Sequence, residues 1–369
     1  MSLSRLDLAG VRNLDETSLR SLGKVNVLYG DNGSGKTSVL EAIYLLGMAR
    51  SFRSGQIRSV ISHGSQECTV YGELNAPGRP SGYSLGVSRS ADGGFEARLS
   101  GEAIRAASEL AEQLPILLIN SETFRLLAGA PVDRRQFLDW GVFHVEHTFY
   151  LTWQRFQRAL KQRNTGLRRG SIEDAELRSW SQEFIAAGEQ VDVLRSRYFQ
   201  ALEPVFHSMI GRLSGKSLDL ELRYRRGWDK TQSLDGALSA TERSDREHGY
   251  THVGPQRADL KVLAGGRNAE EVLSRGQQKM VVSALKLAQG SLLAKEEGKK
   301  DCVFLLDDLP AELDRTHCRL IAEVLMELPG QVFITCVQRE EIESVWPRDA
   351  EATPSLAMFH VEHGKISAS

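Results

Sequence analysis

Gly30-Asp31-Asn32-Gly33-Ser34-Gly35-Lys36-Thr37 is a complete phosphate-binding loop, and the residues on either side of it suit one. Ahead of it, Lys24-Val25-Asn26-Val27-Leu28-Tyr29 has the β-branched and aromatic character of a strand. Behind it, Val39, Ile43 and Leu46 recur at helical spacing, with Leu40 and Ala42 widening the apolar stripe. The order serves the chemistry. Gly33 and Gly35 let backbone amides curl around a phosphate, Lys36 adds a positive charge, and a helix N-terminus faces the anion. Thr37 supplies a hydroxyl for Mg²⁺ beside the β- and γ-phosphates, and Ser38 continues the phosphate contacts. A chance glycine turn would have no need of the strand before it or the helix after it.

Two later segments narrow the class. Cys302-Val303-Phe304-Leu305-Leu306-Asp307-Asp308 is a continuous apolar run ending in two acids, the pattern of a central parallel strand covered on both faces. Asp307 would then hold the Mg²⁺, and Asp308 is placed to orient or deprotonate an attacking water. Ser274, with Gln277 three residues on, has the form of a capping box opening a helix. Its place shortly before the acidic strand is similar to that of the Ser-x-Gly-Gln signature helix of ATP-binding-cassette proteins. That helix points its N-terminal amides at the γ-phosphate held by a partner subunit, a setting suited to an anion. Ala311-Glu312-Leu313-Asp314 resembles the loop of that class that crosses the dimer interface, with Asp314 as its acid.

The ordered set resembles the RecF family of bacterial recombination mediators, whose ATPase head is related to the SMC chromosome-organising proteins. Arg12-Asn13 resembles the family's opening Phe-Arg-Asn element, with Val11 in place of Phe, and Ser51-Phe52-Arg53 follows the loop helix as in the family. Residues 129–139 resemble its Gly-x-Pro-x-x-Arg-Arg-x-Phe-Leu-Asp element. Residues 251–259 resemble its Thr-x-x-Gly-Pro-His-Arg-x-Asp element, with Gln256 in place of His. Leu273-Ser274-Arg275-Gly276-Gln277 matches its signature. The resemblance implies ATP and Mg²⁺ as cofactors. It implies ATP contacts from Arg12, Asn13 and the loop residues Gly30, Asp31, Asn32, Gly33, Ser34, Gly35, Lys36, Thr37 and Ser38. Lys36, Asp307 and Asp308 would carry catalysis, while Ser274, Arg275, Gly276 and Gln277 complete the partner's site. It further implies a homodimer formed on ATP, binding to double-stranded and gapped DNA, and action with RecO and RecR in loading RecA. Departures matter too. Only Glu122 of Ser121-Glu122-Thr123 fits the family's Pro-Glu-Asp, and Asp308 is one methylene shorter than the Glu of transporter ATPases, which implies slow, DNA-stimulated turnover. The strand Val332-Phe333-Ile334-Thr335-Cys336 lacks the switch histidine of transporters, leaving Thr335 as the nearest polar candidate.

The expected architecture is an α/β head of the ABC/SMC type, a mixed sheet with helices, into which a mainly helical lobe is inserted. More than two hundred residues separate Thr37 from Ser274, far more than one parallel crossover needs. The expected divisions are 1–125 for the first part of the head, 126–250 for the inserted lobe, and 251–369 for the rest of the head. Within the lobe Leu177, Phe184, Val191, Tyr198 and Val205 recur every seventh residue, with Trp180, Ala187, Leu194 and Ala201 between them. That is the seam of a helical hairpin, or of an ordinary amphipathic pair. A polar helix is expected over 234–248. The four cysteines show no paired spacing, no apolar stretch is long enough for a bilayer, and no signal peptide leads the chain, so a cytoplasmic protein is expected.

Net charge is −2, which excludes a generic polyanion binder and leaves DNA contact to local patches. The clearest holds Arg155, Arg158, Lys161, Arg163, Arg168 and Arg169, with no acid among them. A smaller one holds Arg223, Arg225, Arg226 and Lys230 beside Tyr224 and Trp228. Either cluster could equally serve solubility. Phe-His-Val-Glu-His occurs at 143–147 and again at 359–363, first in a helical pattern and then in a strand-like one, which reads as coincidence rather than a metal site. Two alternatives stand beside the mediator reading: a structural SMC-like DNA clamp, and an ABC-type ATPase subunit of another complex.

Overall fold

The strand ahead of the phosphate loop is Val25–Tyr29, and it lies inside a six-stranded sheet. The order runs Lys365–Ala368, Leu356–Glu362, Val25–Tyr29, Gly330–Cys336, Cys302–Leu306, Ile116–Ile119, with all neighbours parallel except the first pair. All side chains of Cys302–Leu306 are buried, as a strand covered on both faces requires. The computed structural model describes residues 2–76, 79–170, 172–214, 218–296, 301–347 and 356–369.

A second, antiparallel sheet contains Ser2–Ala9, Glu67–Ala76, Arg79–Ser90 and Phe95–Leu99 in its order, edged by Thr17–Arg20 and Glu102–Ile104. The helix Lys36–Met48 packs against strands of both sheets. Val39, Ile43 and Leu46, the stripe seen in sequence, are fully buried with Leu6, Val70, Leu85, Val303 and Phe333. Each such side chain contributes about 1.5–3 kcal/mol of burial, so the loop is anchored by the core behind it.

The chain divides into two units. The first comprises Met1–Thr123, Arg212–Gly215 and Lys279–Ser369; the second comprises Phe124–Gly211 and Lys216–Gln278. The second unit therefore extends beyond residue 250, where the return to the head was expected. The reason is a strand pairing. Asp259–Ala264 runs antiparallel to Leu220–Arg225, with Asp259 opposite Arg225, so residues after 251 are bound to the inserted unit.

The inserted unit is built from Pro131–Val145, Phe149–Arg169, the helix Asp174–Ser214 as far as Gly211, and the expected Leu234–His248. The two longest helices lie side by side, with Phe156 and Phe184 ring centroids 5.4 Å apart. Leu177, Phe184, Val191, Leu194 and Tyr198 are buried as the heptad reading requires, but Ala201 is exposed. Burial passes instead to Leu202 and Phe206. A helix of 3.6 residues per turn drifts out of a heptad register unless it supercoils, so this is a helix of a globular lobe rather than a coiled-coil stub.

One candidate DNA contact is overturned. Arg163 is 1% exposed, and its guanidinium stands 2.8 Å from the buried carboxylate of Asp245. It also donates to Thr251 Oγ1 at 2.6 Å and to Ser181 Oγ at 3.1 Å. Arg163 falls on the inner face of its helix, where the basic run had no acid nearby in sequence but meets one in space. Removing one member of a buried pair strands the other, at about 3–5 kcal/mol. Arg163→Ala should lower the melting temperature by about 10 °C in scanning calorimetry, whereas exposed Arg168→Ala should shift it by about 1 °C or less. Equal shifts would contradict this assignment.

Candidate nucleotide-binding site

Three parallel strands end together in the first unit. Leu306 pairs with Ile334, and Cys336 pairs with Tyr29, so Asp307, Thr335 and the phosphate loop emerge side by side. Ligands of open parallel sheets bind at this carboxyl edge. The loop is shaped in advance. Gly30 takes φ 143°, and a Cβ there would stand 2.2 Å from the Val361 carbonyl oxygen, so no other residue fits. Gly35 takes φ 120° and precedes the helix directly.

Thr37 Oγ1 donates to Asp307 Oδ1 at 2.8 Å, joining the two segments that sequence assigned to Mg²⁺. Thr335 Oγ1 donates to the same oxygen at 2.9 Å and accepts from the Asp308 amide at 2.7 Å. Thr335, left without a definite role by the sequence, thus positions both acids. Lys36 is nearly buried, and its ammonium donates to the Gly30 and Asp31 carbonyls at 2.7 and 2.8 Å. Asp308 sits at φ 54°, a left-handed conformation uncommon outside glycine. Burial raises its pKa above the ordinary carboxylate value; the Asp307 charge adds to this and Lys36 opposes it.

A cavity of about 540 Å³ joins Arg12, Asn13, Asn32, Gly33, Gly35, Lys36, Thr37, Ser38, Asp308 and Thr335, together with Arg53, Ser59 and Ile61. Asn13 links the opening element to the loop, donating to Gly33 O and accepting from Ser38 Oγ, each at 3.1 Å. Arg12 forms a two-pronged pair with Glu41 at 2.7 and 2.8 Å. Glu41 is completely buried and also accepts from Ser51. Sequence reading missed Glu41, whose only signal is an acid inside an apolar helical stripe. Gly30, Asp31 and Ser34 line a neighbouring cavity of about 460 Å³ with Arg339 and His360; Asn32 and Gly33 border both.

The signature residues lie in the second unit. Ser274 and Gln277 form the reciprocal capping box: the Ser274 amide donates to Gln277 Oε1 at 2.9 Å, and the Gln277 amide donates to Ser274 Oγ at 3.3 Å. Ser274, Arg275 and Gly276 are exposed at the start of the helix Arg275–Lys295. Asp314 caps Arg315–Glu327, accepting from the His317 amide at 3.0 Å, and this bond holds its pKa below the usual value. Of the basic run, Arg155 pairs with Glu183 at 2.8 Å. Arg158, Lys161, Arg168 and Arg169 are exposed and make no ion pair among the described residues.

The oxygen donors suit a hydrated Mg²⁺, which needs only one or two protein ligands besides water and phosphate. Among the described residues, no group of three His, Cys, Asp or Glu could hold a metal ion. The two Phe-His-Val-Glu-His copies take different backbones, one closing the helix Pro131–Val145 and the other running along Leu356–Glu362. Among the described residues, no helix is long and apolar enough to cross a membrane.

A family model described as the RecF/RecN/SMC N terminal domain matches residues 2–363. The chain is 50% identical over 370 residues to DNA replication and repair protein RecF of Stutzerimonas stutzeri, covering 100% of this chain and 97% of that one. It is also 50% identical over 368 residues to the protein so named in Pseudomonas paraeruginosa, covering 100% and 98%. Its fold matches that of a recombination mediator protein RecF solved with ATP, at a TM-score of 0.86 and 22% identity over 100% of this chain and 97% of the other. The Smc head domain of Pyrococcus furiosus follows at a TM-score of 0.59 and 15% identity over 100% and 96%. Motifs, fold and relatives agree: the chain belongs to the RecF family of SMC-type ATPase heads.

Proposed function

We propose that the chain is an ATP-dependent DNA-binding protein of recombinational repair and replication maintenance. In this reading it closes as a homodimer over two ATP molecules, with each copy completing the other's site. The observation that carries it is the joining of Thr37, Asp307 and Thr335 beside a shaped phosphate loop, together with a capped signature helix whose first residues are open to solvent. Relatives that are half identical over the full length and named for DNA replication and repair support the cellular role.

The phosphates would lie on the amides of Gly33 to Ser38, with Lys36 turning from its loop carbonyls to the anion. Mg²⁺, held by Thr37 and Asp307, would neutralise charge developing between the β- and γ-phosphates. Asp308 would orient and deprotonate the attacking water, with Thr335 fixing the backbone that carries it. Arg12 and Asn13 would meet the remainder of ATP from the other wall of the cavity. Ser274, Arg275, Gly276 and Gln277 would present a helix N-terminus to the partner's γ-phosphate, with Asp314 in the crossing loop. Binding shared by two copies makes ATP and dimerisation mutually stabilising, as linkage requires. Arg158, Lys161, Arg168 and Arg169, with Arg155, offer phosphate contacts that position DNA without reading bases. The dimer would act at gapped or junction DNA with RecO and RecR to load RecA, with slow hydrolysis resetting it.

Mixing tests the shared site. Lys36→Ala and Ser274→Arg should each abolish turnover alone. An equal mixture should recover a rate of up to about a quarter of wild type, because half the dimers then carry one intact composite site. No recovery of phosphate release would remove the sandwich.

Asp308→Asn separates stability from chemistry. Its raised pKa means that the ionised form opposes folding at every pH above the unfolded value, so an uncharged isostere relieves the fold at neutral pH. Asparagine also tolerates the left-handed backbone. Without nucleotide or metal, this variant should melt about 1–3 °C higher, while hydrolysis falls about 100-fold or more. A lower melting temperature would contradict the electrostatic reading.

A further inference from the structure

Residues 129–139 and 251–259 carry no part of the nucleotide chemistry, yet in the second unit they are locked together. Arg134 grips Asp259 at 2.7 and 3.2 Å, and Arg135 donates to the Ala258 carbonyl at 2.9 Å. Arg195, 2% exposed, holds Asp139 at 2.7 and 2.9 Å and donates to the Pro255 carbonyl at 2.8 Å. The turn so fixed packs against a second one. A Cβ at Gly227, which takes φ 98°, would stand 2.1 Å from the Gly254 carbonyl oxygen.

What the two turns frame is a groove of about 1220 Å³. Its acids are engaged: Asp259 by Arg134, Asp192 by Tyr224 and Arg226, and Asp229 by Thr231. Arg223 and Arg226 are paired too, with Glu221 and Asp192, but four of its cations are not. Arg225, Lys230, Arg257 and Lys261 line the groove and make no ion pair among the described residues. Tyr250, 40% exposed, opens into the groove between His252, 4.2 Å away between ring centroids, and the Arg257 guanidinium at 5.3 Å. Behind them the Arg226 guanidinium lies 3.8 Å from the Trp228 ring, whose buried Nε1 has no acceptor among the described residues.

Unspent positive charge around an exposed aromatic ring selects its ligand. A phosphodiester chain answers the cations, and a base answers the ring, since every base has a π-face. A run of Asp and Glu offers the charge but no such face. A duplex keeps its bases stacked inside, out of reach of a side chain within a groove. We propose that this groove binds an unpaired nucleic-acid strand, with phosphates on Arg225, Lys230, Arg257 and Lys261 and a base against Tyr250. The proposal rests on the DNA-binding function above and places the single-stranded portion of its substrate.

The test uses the full chain with a non-hydrolysable ATP analogue, labelled oligothymidylate and labelled blunt duplex, read by fluorescence anisotropy. Tyr250→Ala should weaken oligothymidylate binding about 5- to 100-fold and Tyr250→Phe should not, while duplex binding stays within about twofold. Arg257→Ala with Lys261→Ala should lower the slope of log affinity against log salt by about 1.4. Unchanged oligothymidylate binding in these variants overturns the groove and leaves the family function standing. Equal loss on duplex overturns its preference for an unpaired strand. Variants that bind DNA normally but lose a labelled polyglutamate peptide overturn it in favour of an acidic polypeptide. A wild-type chain that binds no DNA with ATP sinks the functional reading itself. Crosslinking of 4-thiothymidine to the unmodified protein makes the same decision without mutation. Attachment within 223–230 or 250–261 supports the proposal, and attachment elsewhere alone overturns it.

Discussion

One carboxylate oxygen, Asp307 Oδ1, receives two hydroxyls, from Thr37 and from Thr335. The three residues come from the start of the loop helix and the ends of two neighbouring strands, so the contact exists only if the parallel register is right. A slip of one residue between Cys302–Leu306 and Gly330–Cys336 would send Thr335 to the other face of the sheet. The buried strands exclude such a slip, because neither face can accept a polar residue without a partner. Packing of Val39, Ile43 and Phe333 therefore acts on chemistry at a distance. It fixes the register, and the register fixes where Asp307 and Asp308 stand.

The same geometry leaves the site under electrostatic tension before any nucleotide arrives. Asp307 and Asp308 are adjacent acids near the end of a buried sheet, and Asp308 has a backbone conformation that few residues adopt. Lys36 is satisfied by loop carbonyls rather than by either acid. Those bonds are already charge-assisted through the Lys36 ammonium, so a triphosphate would have to replace them with contacts to its own full negative charge.

Much of the fold was legible because its signals are local. The loop, the strand before it, the helix after it and the capping box at Ser274 each depend on residues within a few positions, and each forms where the pattern placed it. What escaped depends on partners far away in sequence. Arg163 looks like its basic neighbours until Asp245 and Thr251 enclose it. Glu41 looks like an acid on a helix until Arg12 and Ser51 converge on it. The heptad seam held to Tyr198 and then failed, because sequence cannot tell a supercoiled helix from a straight one over so few turns. The boundary near 250 moved because one strand pairing, Asp259–Ala264 with Leu220–Arg225, outweighs any compositional change along the chain.

The inserted unit shows a different use of buried charge. Arg134, Arg195 and Arg163 each hold a carboxylate, and two of them also reach a backbone carbonyl. Such pairs add little net stability over a hydrophobic isostere, since desolvation offsets much of the attraction. Their advantage is directional. A guanidinium fork accepts a carboxylate in one plane, and its remaining donor then fixes a particular peptide, here those of Gly129 and Pro255. Hydrophobic packing alone would hold the 254–259 turn close to the helices but would leave it free to slide. Held by Arg134 at Asp259 and by Arg195 at Pro255, it keeps Arg257 and the facing strand in one arrangement. A groove lined by unpaired cations needs that rigidity, because mutual repulsion among Arg225, Arg257 and Lys261 would otherwise spread them apart.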